Sequence, residues 1–208
     1  MRTQTFFTSD WHLGHANVIK FDNRPFDNIT QMGEALVRNF NKQVPTYGIT
    51  YFLGDMVLGD FEQSSKFIRQ LNGLKILVVG NHDRNYQSCY NSGFDLVMNS
   101  ATIKVHNEIV TLSHCPLPGI HREDMTGFVG KGTFWHGDHK NHKFMVENKG
   151  QFHLHGHIHS PNGGRSERIL GRQFDVGVAA NNFRPVHASQ IESWIMKTLK
   201  EENELFCP

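Results

Sequence analysis

Three short apolar runs most narrowly constrain what this chain can fold into: QTFFT at 4–8, ITYFL at 49–53 and LKILVV at 74–79. Each stops at a polar cluster: SDWHLGH, GD and GNHDR in turn. Between the first two, Ile29, Met32, Leu36, Phe40 and Val44 recur at helical spacing, and Asn28 with Gln31 predicts a capping box at the helix start. Between the second and third, residues 60–73 read as another amphipathic helix, with Asp60 and Gln63 placed to cap it and Gly73 to end it. Strand, helix, strand, helix, strand is the pattern of an α/β sheet. The unbroken apolar character of 74–79 is expected where both faces of a strand are covered.

Beyond residue 100 the pattern changes. ATIKV and EIVTLS, joined by a turn near His106, Asn107 and Glu108, predict an antiparallel hairpin. QFHLH at 151–155 and QFDVGVAA at 173–180 predict two further strands, and 188–202 a closing helix with a Ser189–Glu192 capping box. The polar, glycine-containing stretch 116–150 has little periodicity and reads as a loop or lid over a site. No repeat or linker interrupts the chain, so one domain over 1–208 is expected.

Lys and Arg total 21 against 20 for Asp and Glu, a formal net charge of +1, which gives no support for coating nucleic acid or a membrane surface. Cys89, Cys115 and Cys207 are too few and too scattered for a disulfide framework or a thiolate zinc site. The start, MRTQTFFTSD, turns polar before a signal-peptide core could form, and no apolar run approaches membrane-spanning length. A cytoplasmic location is the expectation. The unusual total is 14 histidines, which points toward metal chemistry.

The polar residues at the predicted strand ends are Asp10 and His12; Asp55; Asn81, His82 and Asp83; His114; and His157 and His159. Strand ends of an open α/β sheet converge on a common crevice, where ligands bind. Near the C-terminal third, QFHLHGHIH alternates His153, His155, His157 and His159 at a spacing of two, which puts the imidazoles on one face while a strand lasts. Oxygen and nitrogen donors without thiolate suit Mn, Fe, Zn or Co. The donors outnumber the four that one tetrahedral ion needs, so two ions sharing a carboxylate fit better.

In order, DWH (10–12), GD (54–55), GNHD (80–83), the isolated His114 and GHIH (156–159) resemble the five signatures of calcineurin-like metallophosphoesterases. The resemblance runs from residue 5 to roughly 180. HLGHANVIKFDNRPF and DVGVAANNFRPV are similar to a subgroup of small bacterial and phage members. It implies a four-layer fold, a two-sheet β-sandwich flanked by helices, with a dinuclear centre on one rim. By this resemblance Asp10, His12 and His159 hold the first metal, Asp55 bridges, and Asn81, His114 and His157 complete the second site. His82 is then the general acid, oriented by Asp83. After GD the chain continues MVLGD, where many relatives carry another acidic residue or Asn. Asp60 is read as a helix cap rather than a stand-in for that residue.

The implied activity is hydrolysis of a phosphodiester or phosphomonoester, with a small nucleotide-like substrate first, using two divalent ions. Mn²⁺ is the first expectation, with Fe, Zn, Co and Ni as alternatives. A carboxylate bridge offsets the repulsion of two dications, and a water shared between them is activated to attack as hydroxide. An alkoxide leaves poorly, so a proton donor such as His82 is worth roughly 10²–10⁴-fold. The expected partner is a phosphate-ester small molecule, with no membrane and no stable hold on long nucleic acid. A phosphoprotein phosphatase and a non-catalytic metal-binding scaffold are the rival readings.

Other residues carry two readings each. His15, Arg24 and Arg84 are candidates for a substrate-phosphate clamp, against ordinary loop structure, and Asn17 follows them. His153 and His155 either pack near the site or are incidental. His136, Asp138, His139 and His142 of FWHGDHKNH read as a polar loop rather than a third metal site, and Phe134 and Trp135 as loop anchors or stacking groups. Cys115 is expected to be a small buried residue.

Overall fold

The computed structural model describes residues 4–117, 139–160 and 172–206. In chain order the first half contains β1 (Thr5–Thr8), α1 (Ala16–Phe21), α2 (Ile29–Gln43), β2 (Ile49–Phe52), α3 (Phe61–Ile68), β3 (Leu74–Val78), α4 (Tyr86–Ser92) and β4 (Leu96–Met98). The second half contains β5 (Ala101–Val105), β6 (Glu108–Leu112), a 3₁₀ helix (His139–Phe144), β7 (Phe152–His155), β8 (Gln173–Asp175), β9 (Val186–His187) and α5 (Ala188–Phe206).

These strands make two sheets, ordered β4-β3-β2-β1-β9 and β5-β6-β7-β8. In the first sheet β1 to β4 run parallel and β9 returns antiparallel beside β1. The second joins an antiparallel hairpin, β5–β6, to the parallel strands β7 and β8. The hairpin turn places His106 at φ 49° and Asn107 at φ 64°. Two central residues of positive φ match the twist of the flanking strands.

The period of two sorts side chains between two cores. Phe6, Phe52 and Leu77 pack with Met32, Leu36 and Phe40 of α2. Phe7, Leu53 and Val78, one residue on, face Val110, Leu112, Phe152 and Leu154 of the second sheet. α5 adds Ile191, Trp194 and Ile195 to this inter-sheet core. The Trp194 ring meets Phe152 and Phe174 edge-on, at 5.2 and 5.4 Å. The architecture is two sheets flanked by helices, as expected.

Boundaries differ where local chemistry intervenes. Asn28 accepts the Gln31 N–H at 2.9 Å, but Gln31 Oε1 returns to the Asp27 N–H rather than to that of Asn28. Asp60 accepts the Gln63 N–H at 3.0 Å and is the cap of α3, which ends at Ile68, short of Gly73. The Ser189–Glu192 box does not form. α5 follows directly on β9, so Gln190 takes the His187 N–H at 3.0 Å, and Glu192 meets His106 Nδ1 at 2.9 Å instead. The strand expected to continue to residue 180 stops at Asp175, whose Oδ1 accepts the Gly177 N–H at 2.7 Å. Gly177 then bridges to Ser9 of the first sheet. Residues 118–138 of the expected lid, with Phe134, Trp135, His136 and Asp138, lie outside the described residues, as does Cys207. No helix among the described residues is long and apolar enough to cross a membrane.

Candidate metal centre

The loop after β1 is pegged by Trp11. Its buried ring meets Phe40 and Phe52 edge-on, and its Nε1–H donates to Thr8 Oγ1 at 2.9 Å. Beyond the strand ends the first two loops run side by side: the Asp10, His12 and Leu13 N–H groups donate to the carbonyls of Gly54, Asp55 and Met56 at 2.9–3.0 Å. Gly54 sits at φ 90°, and a Cβ there would lie 2.6 Å from Gly80 Cα and from His114 Nδ1. Only glycine lets these three segments meet. At Gly156 a Cβ would collide with Ser9 Oγ and Asp10 Oδ2.

Five of the seven expected ligand residues have left-handed backbones: Asp10 (φ 58°), His12 (49°), Asp55 (56°), His157 (70°) and His159 (47°). Each such residue costs about 1–3 kcal/mol and persists only where its surroundings over-determine it, a condition that clusters at functional sites. β7 ends at His155, so His157 and His159 reach the site through these turns and not along a strand face. His153 and His155 stay on the strand, buried and stacked with ring centroids 5.8 Å apart. His153 is bound to Thr111 and Ser113 hydroxyls and the Cys115 carbonyl, and burial pushes its pKa down to about 3. Cys115 is buried, as expected.

The donor atoms form two groups, each within 4.8 Å: Asp10, His12 and His159, and Asp55, His114 and His157. In the first, His12 Nε2 and His159 Nε2 lie 3.0 Å apart, with Asp10 Oδ1 3.5 Å from the latter. In the second, His114 Nε2 and His157 Nδ1 are 3.0 Å apart, and Asn81 Oδ1 lies 2.9 and 2.8 Å from them. Asp55 Oδ2 stands between the groups, 3.8 Å from His12 Nε2 and 3.4 Å from His114 Nε2. Ligands held roughly 2.0–2.2 Å from one ion lie about 3–3.5 Å apart, so these donor sets fit divalent cations.

Charge points the same way. Burial alone would raise Asp10 and lower His159. Contact with His159 outweighs burial and holds Asp10 well below the usual carboxylate range, and Asp10 together with Asp22 lifts His159 to about 10. Burial would also lower His114, but Asp55 outweighs it and raises His114 to about 9. His12 shows the opposite balance, since burial prevails over Asp10 and Asp55 and takes it to about 4. The buried carboxylates demand positive charge, and a cation supplies it while leaving the imidazoles neutral to ligate.

Asp22 is a member that sequence reasoning missed. Its carboxylate meets His159 Nδ1 at 2.9 and 3.0 Å, the arrangement that fixes tautomer and orientation of a metal-ligating imidazole. Arg24 holds Asp22 in turn, and the expectation that it clamps substrate phosphate needs correction. Its Nε–H and one Nη2–H donate to Asp22, the other Nη2–H to the Asp10 carbonyl, and Nη1 to the Trp11 carbonyl and Met32 Sδ. All five donors of this buried guanidinium are thereby engaged inward. Asp22→Asn should weaken metal binding about 10–100-fold with the fold intact. Chelator competition followed by metal analysis measures this, and unchanged affinity would remove Asp22 from the centre.

Asp83 also differs from expectation. Its carboxylate accepts the backbone N–H groups of Asp55, Met56 and Gly80 at 2.8–2.9 Å, so it ties two ligand loops together rather than holding the His82 ring. The His82 side chain is 44% exposed, with Nε2 3.9 Å from Asp55 Oδ2 and its ring 5.7 Å from that of His12. The half-buried His15 lies on the same rim, its ring 6.2 Å from that of His12. Arg84 is exposed and stacks over Phe61 at 4.6 Å.

A family model described as calcineurin-like phosphoesterase matches residues 4–161. An uncharacterized protein of Methanocaldococcus jannaschii is 40% identical over 81 residues, which is 38% of this chain and 46% of that relative's length. The Gene 66 protein of Mycobacterium phage L5 is 27% identical over 198 residues, covering 86% of this chain and 87% of the phage protein. Among solved structures, a protein of unknown function from Aquifex aeolicus shares the fold. Its TM-score is 0.65 at 22% identity, with 93% of this chain and 100% of that chain covered.

Proposed function

The chain belongs to the calcineurin-like phosphoesterases, and on that footing we propose that it hydrolyses a small, nucleotide-like phosphate ester in the cytoplasm, using two divalent metal ions. Asp10, His12 and His159 would hold the first ion, and Asn81, His114 and His157 the second, with Asp55 placed to serve both. The observation that most supports this is the place of Asp55 Oδ2, within 3.8 Å of a donor nitrogen in each group. When bound, two such ions would lower the pKa of a water beside them and neutralise charge on phosphoryl oxygens. Mn²⁺ is the first ion to try, and the oxygen and imidazole nitrogen donors suit Fe, Zn or Co as well.

The chain's own residues supply position and a proton. Asp83 holds the Asp55 and Gly80 loops in register. The His82 N–H donates to Asp55 Oδ1 at 2.9 Å, which sets its ring at the mouth of the centre. From there the imidazole donates its proton to the departing alkoxide oxygen. His15 and Arg84 lie on the approach as candidates for contact with the rest of the ester.

Mn²⁺-loaded protein assayed on matched p-nitrophenyl mono- and diesters, with metal counted by mass spectrometry, tests this. Turnover with two ions per chain is expected, and diester preference would favour a phosphodiesterase. Monoester preference would redirect the search to nucleotides and phosphopeptides. Bound metal without cleavage of either ester would overturn the hydrolase reading in favour of a scaffold.

A further inference from the structure

Phe21, at the end of α1, is 78% exposed. A single exposed phenyl is ordinary, so its location carries the argument. Its ring lies 6.4 Å from the His15 ring, centroid to centroid, and His15 lies 6.2 Å from the ring of His12, a donor of the first metal group. Three rings thus step outward from the metal centre to solvent. Val18, buried in the core, and Ile19, packed against it, fix α1 in this place. Four residues before Phe21, Asn17 is exposed on the same helix face, with an amide that both donates and accepts.

From this juxtaposition we infer that His15, Phe21 and Asn17 form a stacking subsite for a planar aromatic group, such as a nucleobase, carried by the phosphate ester. The inference rests on the phosphoesterase reading above for the seat of the phosphate. Aromatic faces stack with any base and gain more than area burial alone provides. Asn17, one turn earlier on the same helix face, offers an amide for the polar edge of a heterocycle. Aliphatic esters bind at the metals without this addition.

The test uses two phosphonates whose C–P bonds resist hydrolysis, 4-phenylbutylphosphonate and butylphosphonate, titrated calorimetrically into the Mn²⁺-loaded protein. The phenyl compound is expected to bind about 10-fold more tightly. Phe21→Ala should reduce that preference below about twofold and leave butylphosphonate unchanged, whereas Phe21→Trp retains it. No preference in the unsubstituted protein, a preference that survives Phe21→Ala, or failure to bind either phosphonate would overturn the subsite. A Phe21-dependent preference in a protein that cleaves no ester would uphold the subsite and overturn the hydrolase reading. Ester cleavage without ring preference would do the reverse.

Discussion

Asp55→Asn should leave a folded protein that binds fewer than two ions and loses more than about 100-fold in hydrolysis, beyond the 10–100-fold typical of a metal site's outer partners. The amide oxygen can still accept the His82 N–H that Oδ1 now takes at 2.9 Å, so the loop geometry survives. What disappears is the negative charge between His12 Nε2 and His114 Nε2. Without it two dications repel each other across neutral imidazoles and an amide. Metal content by mass spectrometry, read beside steady-state rates, checks the outcome. Two ions retained at full occupancy would end the case for a shared carboxylate.

His82→Ala should have the complementary signature, with two ions kept and turnover lost. The side chain is 44% exposed and holds no position in the core, so its removal leaves the loops tied by Asp83. Loss of a positioned proton donor is worth roughly 10²–10⁴-fold where the leaving group is a poor one. p-Nitrophenolate departs without a proton, so its esters should suffer far less than alkyl esters. A parallel assay of the two ester classes decides the matter. An equal fall for both would mean that His82 organises the centre and gives no proton.

Much of this was legible in the residues because strand ends in a parallel sheet fall together. Once 4–8, 49–53 and 74–79 read as strands, Asp10, Asp55 and Asn81 had to converge. Elements of few residues escaped, since α1, α4, β4 and β9 are too short to display a period. Outward-facing and inward-facing polar residues were also indistinguishable by type. Arg24 has the chemistry of a phosphate clamp, but its donors point at backbone carbonyls and Asp22, a geometry set by α1 and the loop after it. Asp83 similarly follows the proton-donor candidate in sequence yet serves the backbone. Asp22 lay within FDNRPF, two residues from Arg24, but only the fold brings it to His159. The alternation of histidines indicated a strand correctly through His155. The left-handed turns that deliver His157 and His159 have no compositional mark beyond Gly156.

The span of the centre along the chain bears on how the protein is made. His12 and His159, 3.0 Å apart in space, are 147 positions apart in sequence, and each donor group needs one imidazole from the turns after β7. A ribosome must therefore release most of the polypeptide before either group is complete. A nascent or truncated chain ending before β7 has carboxylates and imidazoles from its early loops but no finished seat for an ion. The centre is a latch that only late-made residues can close, across a loop whose entropic cost grows only slowly with its length. Because ions that favour the closed state would stabilise it by mass action, the free-ion concentration around the finished chain sets how firmly it stays latched.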